Sequence, residues 1–113
     1  MPLPLNVYQT ITKVVDTNTV GIYTAPVGYS GVVLLAQASN IGSDTHTVTF
    51  SHKRTVAGIA VTTEIVKDLA IPANDSASLL FGKLILETGD ALQISADNAT
   101  NVKFIGSILE TLN

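Results

Sequence analysis

The chain has 113 residues, of which 46% are hydrophobic and 13% are charged, and its net charge is −3. This length allows one domain with one core, and a net negative chain without a Lys/Arg cluster lacks the means to neutralise a run of phosphates. The absence of cysteine excludes disulfides and thiolate chemistry.

The charged fraction is about half of the ~25% that is usual for globular proteins. Thr, Ser and Asn supply the surface polarity instead, and uncharged hydroxyls cost much less to desolvate than ions. Low charge therefore favours a protein that is packed against neighbours. The alternative is a Thr-rich β-protein without a partner, because strands favour Thr in any case.

The first residues have neither a basic region nor a long apolar segment, so we expect no signal peptide. No apolar run approaches the ~20 residues of a membrane span. We therefore expect synthesis in the cytoplasm of a cell, without export, and no membrane partner. Pro2 and Pro4 exclude a helix from residues 1–6, which we predict to be an extended N-terminal arm.

The sequence pattern of residues 7–113 is typical of β-strands separated by short turns. Strands are predicted for residues 7–16, 20–25, 31–40, 45–52, 61–71, 77–81, 92–96 and 102–112, with turns rich in Gly, Pro, Asn and Asp between them. Residues 32–36 are apolar without alternation, which predicts a strand buried on both faces. Residues 53–60, which include Gly58, are expected to form a connection, and residues 61–71 a bulged or edge strand.

The clearest local signal is residues 84–96, where two apolar runs flank Glu87-Thr88-Gly89-Asp90. Gly89 can adopt the positive φ that a tight reversal needs, and Leu92 and Ile94 then alternate with polar residues. This pattern predicts a hairpin that leads into a half-buried strand. In total we predict an all-β fold, an antiparallel two-sheet β-sandwich (Ig-like or jelly-roll-like) of about eight strands. A helix over residues 57–69 is the best rival, but β-branched residues crowd it.

Few residues suggest a catalytic or metal-binding site. His46 and His52 are six residues apart on one strand, about 20 Å, so one metal ion cannot bind both within a monomer. Asp44 and His46 resemble a base with its orienting acid, but no glycine-flanked nucleophile turn accompanies them. Asp75-Ser76 and Glu87…Asp90 lack the alternating ligands of a calcium loop. We predict no enzyme activity, no cofactor and no metal site.

Two stretches resemble small tailed-bacteriophage virion proteins. They are Ile-Tyr-Thr-Ala-Pro-Val-Gly-Tyr-Ser-Gly-Val-Val-Leu at 22–34 and Gly-Lys-Leu-Ile-Leu-Glu-Thr-Gly-Asp-Ala-Leu at 82–92, followed by Ser-Ile-Leu-Glu at 107–110. The resemblance covers about four-fifths of the chain, from Ile22 onward. It implies a β-sandwich in the phage particle, without catalysis, either decorating (cementing) the capsid or placed around the neck and tail.

We therefore expect a decoration protein that binds the major capsid lattice, as a homo-oligomer within the virion. The alternatives are a neck or tail protein that anchors fibres, and a receptor- or glycan-binding module, for which exposed tyrosines would serve as platforms. The predicted partner contacts are Leu3 and Leu5 in the arm, Tyr23 and Tyr29 near the Pro-Gly loop, and Leu109 and Leu112 in the last strand.

Overall fold

The computed structural model describes residues 6–113, which form nine strands in two antiparallel sheets. In chain order the strands are β1 Asn6–Val14, β2 Val20–Thr24, β3 Tyr29–Asn40, β4 His46–Val56, β5 Ile59–Ile71, β6 Asp75–Ser78, β7 Leu84–Leu86, β8 Ala91–Ala96 and β9 Val102–Leu112. This confirms the predicted all-β, two-sheet sandwich. The predicted arm, with Leu3 and Leu5, lies outside the described residues except for Asn6, which already belongs to β1.

Sheet A has the order β1-β9-β3-β6, and β7 also pairs with β3; sheet B has the order β2-β8-β4-β5. The core lies between the sheets, where Phe50 stacks on Phe104 with ring centroids 5.6 Å apart. Leu92 and Ile94 are buried, as the alternation in β8 predicts. Gly106 lets Phe104 lie against the backbone, since a Cβ at this glycine would come within 2.8 Å of the ring.

The turn at residues 87–90 does not form the predicted hairpin. Gly89 has the expected positive φ of 89°. However, β7 pairs with β3 in sheet A, whereas β8 pairs with β2 and β4 in sheet B. The turn therefore carries the chain from one sheet to the other. Local turn chemistry specifies a reversal but not which strands pair on either side of it.

The β4–β5 hairpin is longer than predicted. Its strands continue through residues expected to form a connection, and the reversal is confined to Ala57 and Gly58, which both have positive φ. The predicted bulged edge strand is confirmed in β5. This strand lies at the edge of sheet B, its register with β4 shifts twice, and Asp68 has a φ of 51°.

Strand β3 is not buried on both faces. Val33 and Ala36 face the core, but a register shift between Val33 and Leu35 leaves both Leu34 and Leu35 exposed. The uninterrupted apolar run is therefore the result of an apolar outer face on sheet A.

Candidate binding surfaces

The outer face of sheet A carries a row of apolar side chains across four strands. In the strand register, Tyr8 lies opposite Leu109, Leu109 opposite Val32, and Val32 opposite Ile85. Paired residues in a sheet project from the same face, so these four side chains form one row. Tyr8 is 76% exposed and Ile85 is 62% exposed. We call this row the apolar row.

The surroundings of the apolar row are almost uncharged. Leu34, Leu35 and Ile105 add exposed apolar area beside it. Within β1, β3, β7 and β9, all of which lie in the described part of the chain, the only charged side chain at an outward-facing position is Lys103. Most of the remaining outward positions are Thr and Ser, and the desolvation of their hydroxyls against a partner costs much less free energy than the desolvation of ions.

A second apolar surface lies at one end of the molecule, on the β4–β5 hairpin. Strand β8 begins at Ala91, which pairs with Lys53, and the hairpin continues beyond that point for about 10 Å at ~3.3 Å per residue. On its inward face Val56, Ile59 and Val61 are 65%, 68% and 58% exposed. We call these three residues the hairpin ledge.

The two faces of the projecting hairpin differ. Val56 pairs with Ile59 and Arg54 with Val61 on the inward face, whereas Lys53 pairs with Thr62 on the outward face. The inward face lines a groove of about 480 Å³ together with His52 and Thr63. The tip of the inward face is therefore apolar, whereas Arg54, His52 and Thr63 make the part nearer the base polar, and the outward face is polar.

The base of the hairpin ledge is fixed by a buried carboxylate. Asp90 is 2% exposed, and Arg54 donates to it from Nε at 2.9 Å and from Nη2 at 2.6 Å. His52 Nε2 lies 3.1 Å from Asp90 Oδ2, and the Glu87 backbone N–H donates to the same oxygen at 3.0 Å. Arg54 Nη2 also lies 2.8 Å from the Glu87 carboxylate. This cluster ties the hairpin to the turn that crosses between the sheets.

The charge of Asp90 is stabilised despite its burial. The hydrogen bonds from Arg54, opposed by desolvation and assisted by His52 and the Glu87 N–H, lower the pKa of Asp90 from 3.8 to about 2. The same pairing raises the pKa of Arg54. A carboxylate held by a bidentate guanidinium is a poor proton acceptor, so the arrangement is suited to a structural role.

Two of the predicted contact residues, Tyr29 and Leu112, lie at the end of the molecule from which the β4–β5 hairpin projects. Tyr29 lies opposite Leu112, and the Tyr29 carbonyl accepts a hydrogen bond from the Thr88 hydroxyl at 2.6 Å. Asn6 pairs with Thr111, so the chain enters β1 here as well. Leu109 lies elsewhere, in the apolar row.

Tyr23 lies between the sheets and is partly buried. Its hydroxyl donates to the buried Glu110 at 2.5 Å. Burial, followed by the hydrogen bond and the charge of Glu110, raises the pKa of the Tyr23 hydroxyl well above its ordinary value. The partner contact predicted for Tyr23 stays a prediction, and its polar end is already engaged within the fold.

The two histidines lie apart, each with its own acid. His46 Nδ1 is 3.1 Å from Asp97 Oδ1 at the start of β4, and His52 contacts Asp90. Among residues 6–113, no group of three or more His, Asp or Glu side chains is arranged to hold a metal ion. The same residues contain no helix that is long and apolar enough to cross a membrane.

Neither the family models nor the curated proteins that were compared match the sequence. Solved structures do match. A chain in the acid-stable capsid of the Helicobacter pylori bacteriophage KHP30 superposes with a TM-score of 0.57 at 11% identity, over 96% of this chain and 89% of that one. A chain of the Bacillus endospore appendages, which are disulfide-linked pili, gives a TM-score of 0.50 at 18% identity, over 96% and 88%.

A chain of the T13 particle of the infectious bursal disease virus (IBDV) gives a TM-score of 0.56 at 13% identity. The match covers 97% of this chain but only 32% of the viral one, so this chain spans about a third of that protein. The likeness is one of fold. It places the sandwich among folds that occur in virus particles and in a pilus.

The sequence alone did not reveal either apolar surface. Tyr8, Val32, Ile85 and Leu109 come from four separate strands, and only the strand register brings them together. The alternation of Val56, Ile59 and Val61 across Gly58 was the available signal for the hairpin ledge, but the glycine suggested a longer loop.

Proposed function

We propose that the protein is a structural component of a tailed-phage particle, a decoration protein that binds the major capsid lattice as a homo-oligomer and has no enzymatic activity. The fold shared with the phage KHP30 and IBDV particle chains supports a role in the virion. The sequence resemblance to small tailed-phage virion proteins supports the more specific assignment.

The apolar row is the observation on which this proposal rests. It presents exposed apolar side chains on a nearly uncharged sheet face, and contiguous apolar patches of this kind mark protein-interaction sites in soluble proteins. Docking on a repeated lattice would stabilise the protein by mass action, because only the folded chain binds.

The test is binding to purified particles of the phage that encodes the chain. Ile85→Asp and Tyr8→Asp place a charge in the apolar row and should lower particle occupancy at least about tenfold, since a buried unpaired charge costs several kcal/mol. Ile41→Asp is the matched control, because Ile41 is exposed and lies outside both apolar surfaces. The Ile41→Asp variant should occupy the particles as fully as the unmodified chain does.

Copy number separates decoration from the neck or tail alternative. A decoration protein should be present in hundreds of copies per particle, whereas a neck component should be present in about a dozen or fewer. Quantitative gel analysis of purified virions gives this number. A low count would reject the decoration role, and equal occupancy for Ile85→Asp and Ile41→Asp would reject the apolar row as the docking face.

A further inference from the structure

The hairpin ledge is a sheet face that no described residue covers. Its side chains continue the same inward face that, nearer the base, buries Val48 and Phe50 in the core. Val56, Ile59 and Val61 lie beyond the start of β8 and remain more than half exposed. In a protein with so few charges, three adjacent β-branched side chains on one face favour a partner rather than solvent.

We propose that residues 1–5 of a neighbouring copy of this chain occupy the hairpin ledge, so that Leu3 and Leu5 complete its apolar face and link copies into an oligomer. This deepens the proposed function, because it names the contact that joins the decoration subunits to one another. The position, length and composition of the segment support it.

The position of Asn6 directs the segment toward this end of the molecule. Asn6 pairs with Thr111, and the following residue, Leu112, lies opposite Tyr29. Thr88, which contacts the Tyr29 carbonyl, is next to Glu87 in the crossing turn, and Glu87 contacts Arg54 at the base of the hairpin ledge. The segment therefore leaves the sandwich at the end where the hairpin projects.

The length of the segment argues for a neighbouring copy. Strand β1 approaches β2 at one edge of the sandwich and β6 approaches β5 at the other. The midline of the β4–β5 hairpin therefore lies about 12 Å sideways from β1, given ~4.8 Å between strands, and the sheets are a further ~10 Å apart. Leu5 is one residue from Asn6, a reach of only ~3.4 Å against this span, so Leu3 and Leu5 cannot both lie on the hairpin ledge of their own chain.

The composition of the segment suits the groove. Residues 2–5 are Pro-Leu-Pro-Leu, and each proline removes a backbone donor and favours extended geometry. An extended apolar segment with few donors fits beside Val56, Ile59 and Val61 at the tip, whereas the polar residues of the groove, His52, Arg54 and Thr63, lie nearer its base. The segment also contains no charged side chain that would be desolvated there.

Cysteine cross-linking tests the contact, and the chain contains no cysteine of its own. A Leu3→Cys chain is mixed with a Val61→Cys chain under mild oxidation. The matched control replaces Val61→Cys with Thr62→Cys, the next residue, which faces the opposite side of the hairpin. Because a disulfide needs Cα atoms within about 7 Å, the Val61→Cys mixture should give at least about fivefold more linked heterodimer.

Non-reducing gels measure the yield, and mass spectrometry of the linked peptides identifies the two positions. Equal yields at positions 61 and 62 would overturn the proposal. So would a chain carrying both Leu3→Cys and Val61→Cys that links only within itself, since the segment would then cover its own hairpin.

Sedimentation of the purified full-length chain gives an independent measurement. Leu3→Asp and Ile59→Asp should each weaken self-association at least about tenfold, whereas Ile41→Asp should not change it. If Ile59→Asp reduces particle binding but leaves self-association unchanged, the occupant is a different protein and the proposal is wrong. The purified chain is tested without particles, so this result is independent of whether the protein decorates a capsid.

Discussion

The base and the tip of the β4–β5 hairpin share one strand pair and one alternating pattern but differ in what covers them. At the base, Val48 and Phe50 face sheet A and are buried, and Phe50 stacks on Phe104. At the tip, Val56 and Ile59 continue the same face beyond the covering sheet and are exposed. The difference teaches that the burial of an alternating strand depends on the opposing layer as well as on its own residues.

The largest expected effect on stability is a difference between substitutions at the base and at the tip of the hairpin. Phe50→Ala should lower the free energy of unfolding by about 3–5 kcal/mol, because it removes a buried ring and leaves a cavity. Val61→Ala removes an apolar side chain at the tip and should change stability by less than about 0.5 kcal/mol. Urea unfolding of both variants measures the contrast. Similar losses would show that the tip is covered within the monomer.

An intermediate effect on stability is expected at Asp90, which binds Arg54 between the base and the tip of the hairpin. The pKa of this group falls from 3.8 to about 2 on folding, so its contribution to stability is present above pH 4 and is lost as the pH falls toward 2. The contribution at neutral pH is about 2–3 kcal/mol. Unfolding free energies measured between pH 6 and pH 2 should therefore decline.

Asp90→Asn should flatten that decline, because the titrating carboxylate is gone. Glu64→Gln is the matched control, since Glu64 lies on the exposed outer face of the same hairpin. It should leave the pH profile unchanged. An identical slope in Asp90→Asn and in the unmodified chain would assign the acid sensitivity to other carboxylates.

The smallest expected effect on stability lies at the tip. Ile59→Asp replaces an exposed side chain, so the free energy of unfolding of the monomer should change by no more than about 0.5 kcal/mol. Thermal unfolding at low protein concentration, where copies are dissociated, measures this value. A loss of several kcal/mol would mean that Ile59 packs inside the monomer and that the base and the tip are not different after all.

The parts of the fold that depend on local pattern were predictable from the sequence. The alternation of Leu92 and Ile94 identified β8, and the positive φ of Gly89 followed from the turn chemistry. Pairing was not predictable in the same way. Residues 84–96 look like a hairpin by every local criterion, yet their two strands belong to different sheets.

The candidate surfaces were less predictable than the fold. Tyr29 and Leu112 were predicted separately as contact residues, one near a loop and one in the last strand, and only the structure shows that they pair. The apolar row depends on the register of four strands, and register is a long-range property. For the apolar run in β3, outward-facing leucines and core residues have the same sequence signature, so exposure could not be inferred.

The pairing of β1 with β9 has a consequence during synthesis. β1 ends at Val14, and its partner begins at Val102, so the ribosome must add most of the domain before the two strands can meet. At ~5–20 residues per second, β1 waits roughly 4–18 s without its neighbour. Until then β3 also lacks the strand between itself and β1. A translational pause upstream of Val102 would lengthen the period in which a nascent sheet edge is open to chaperones or to aggregation.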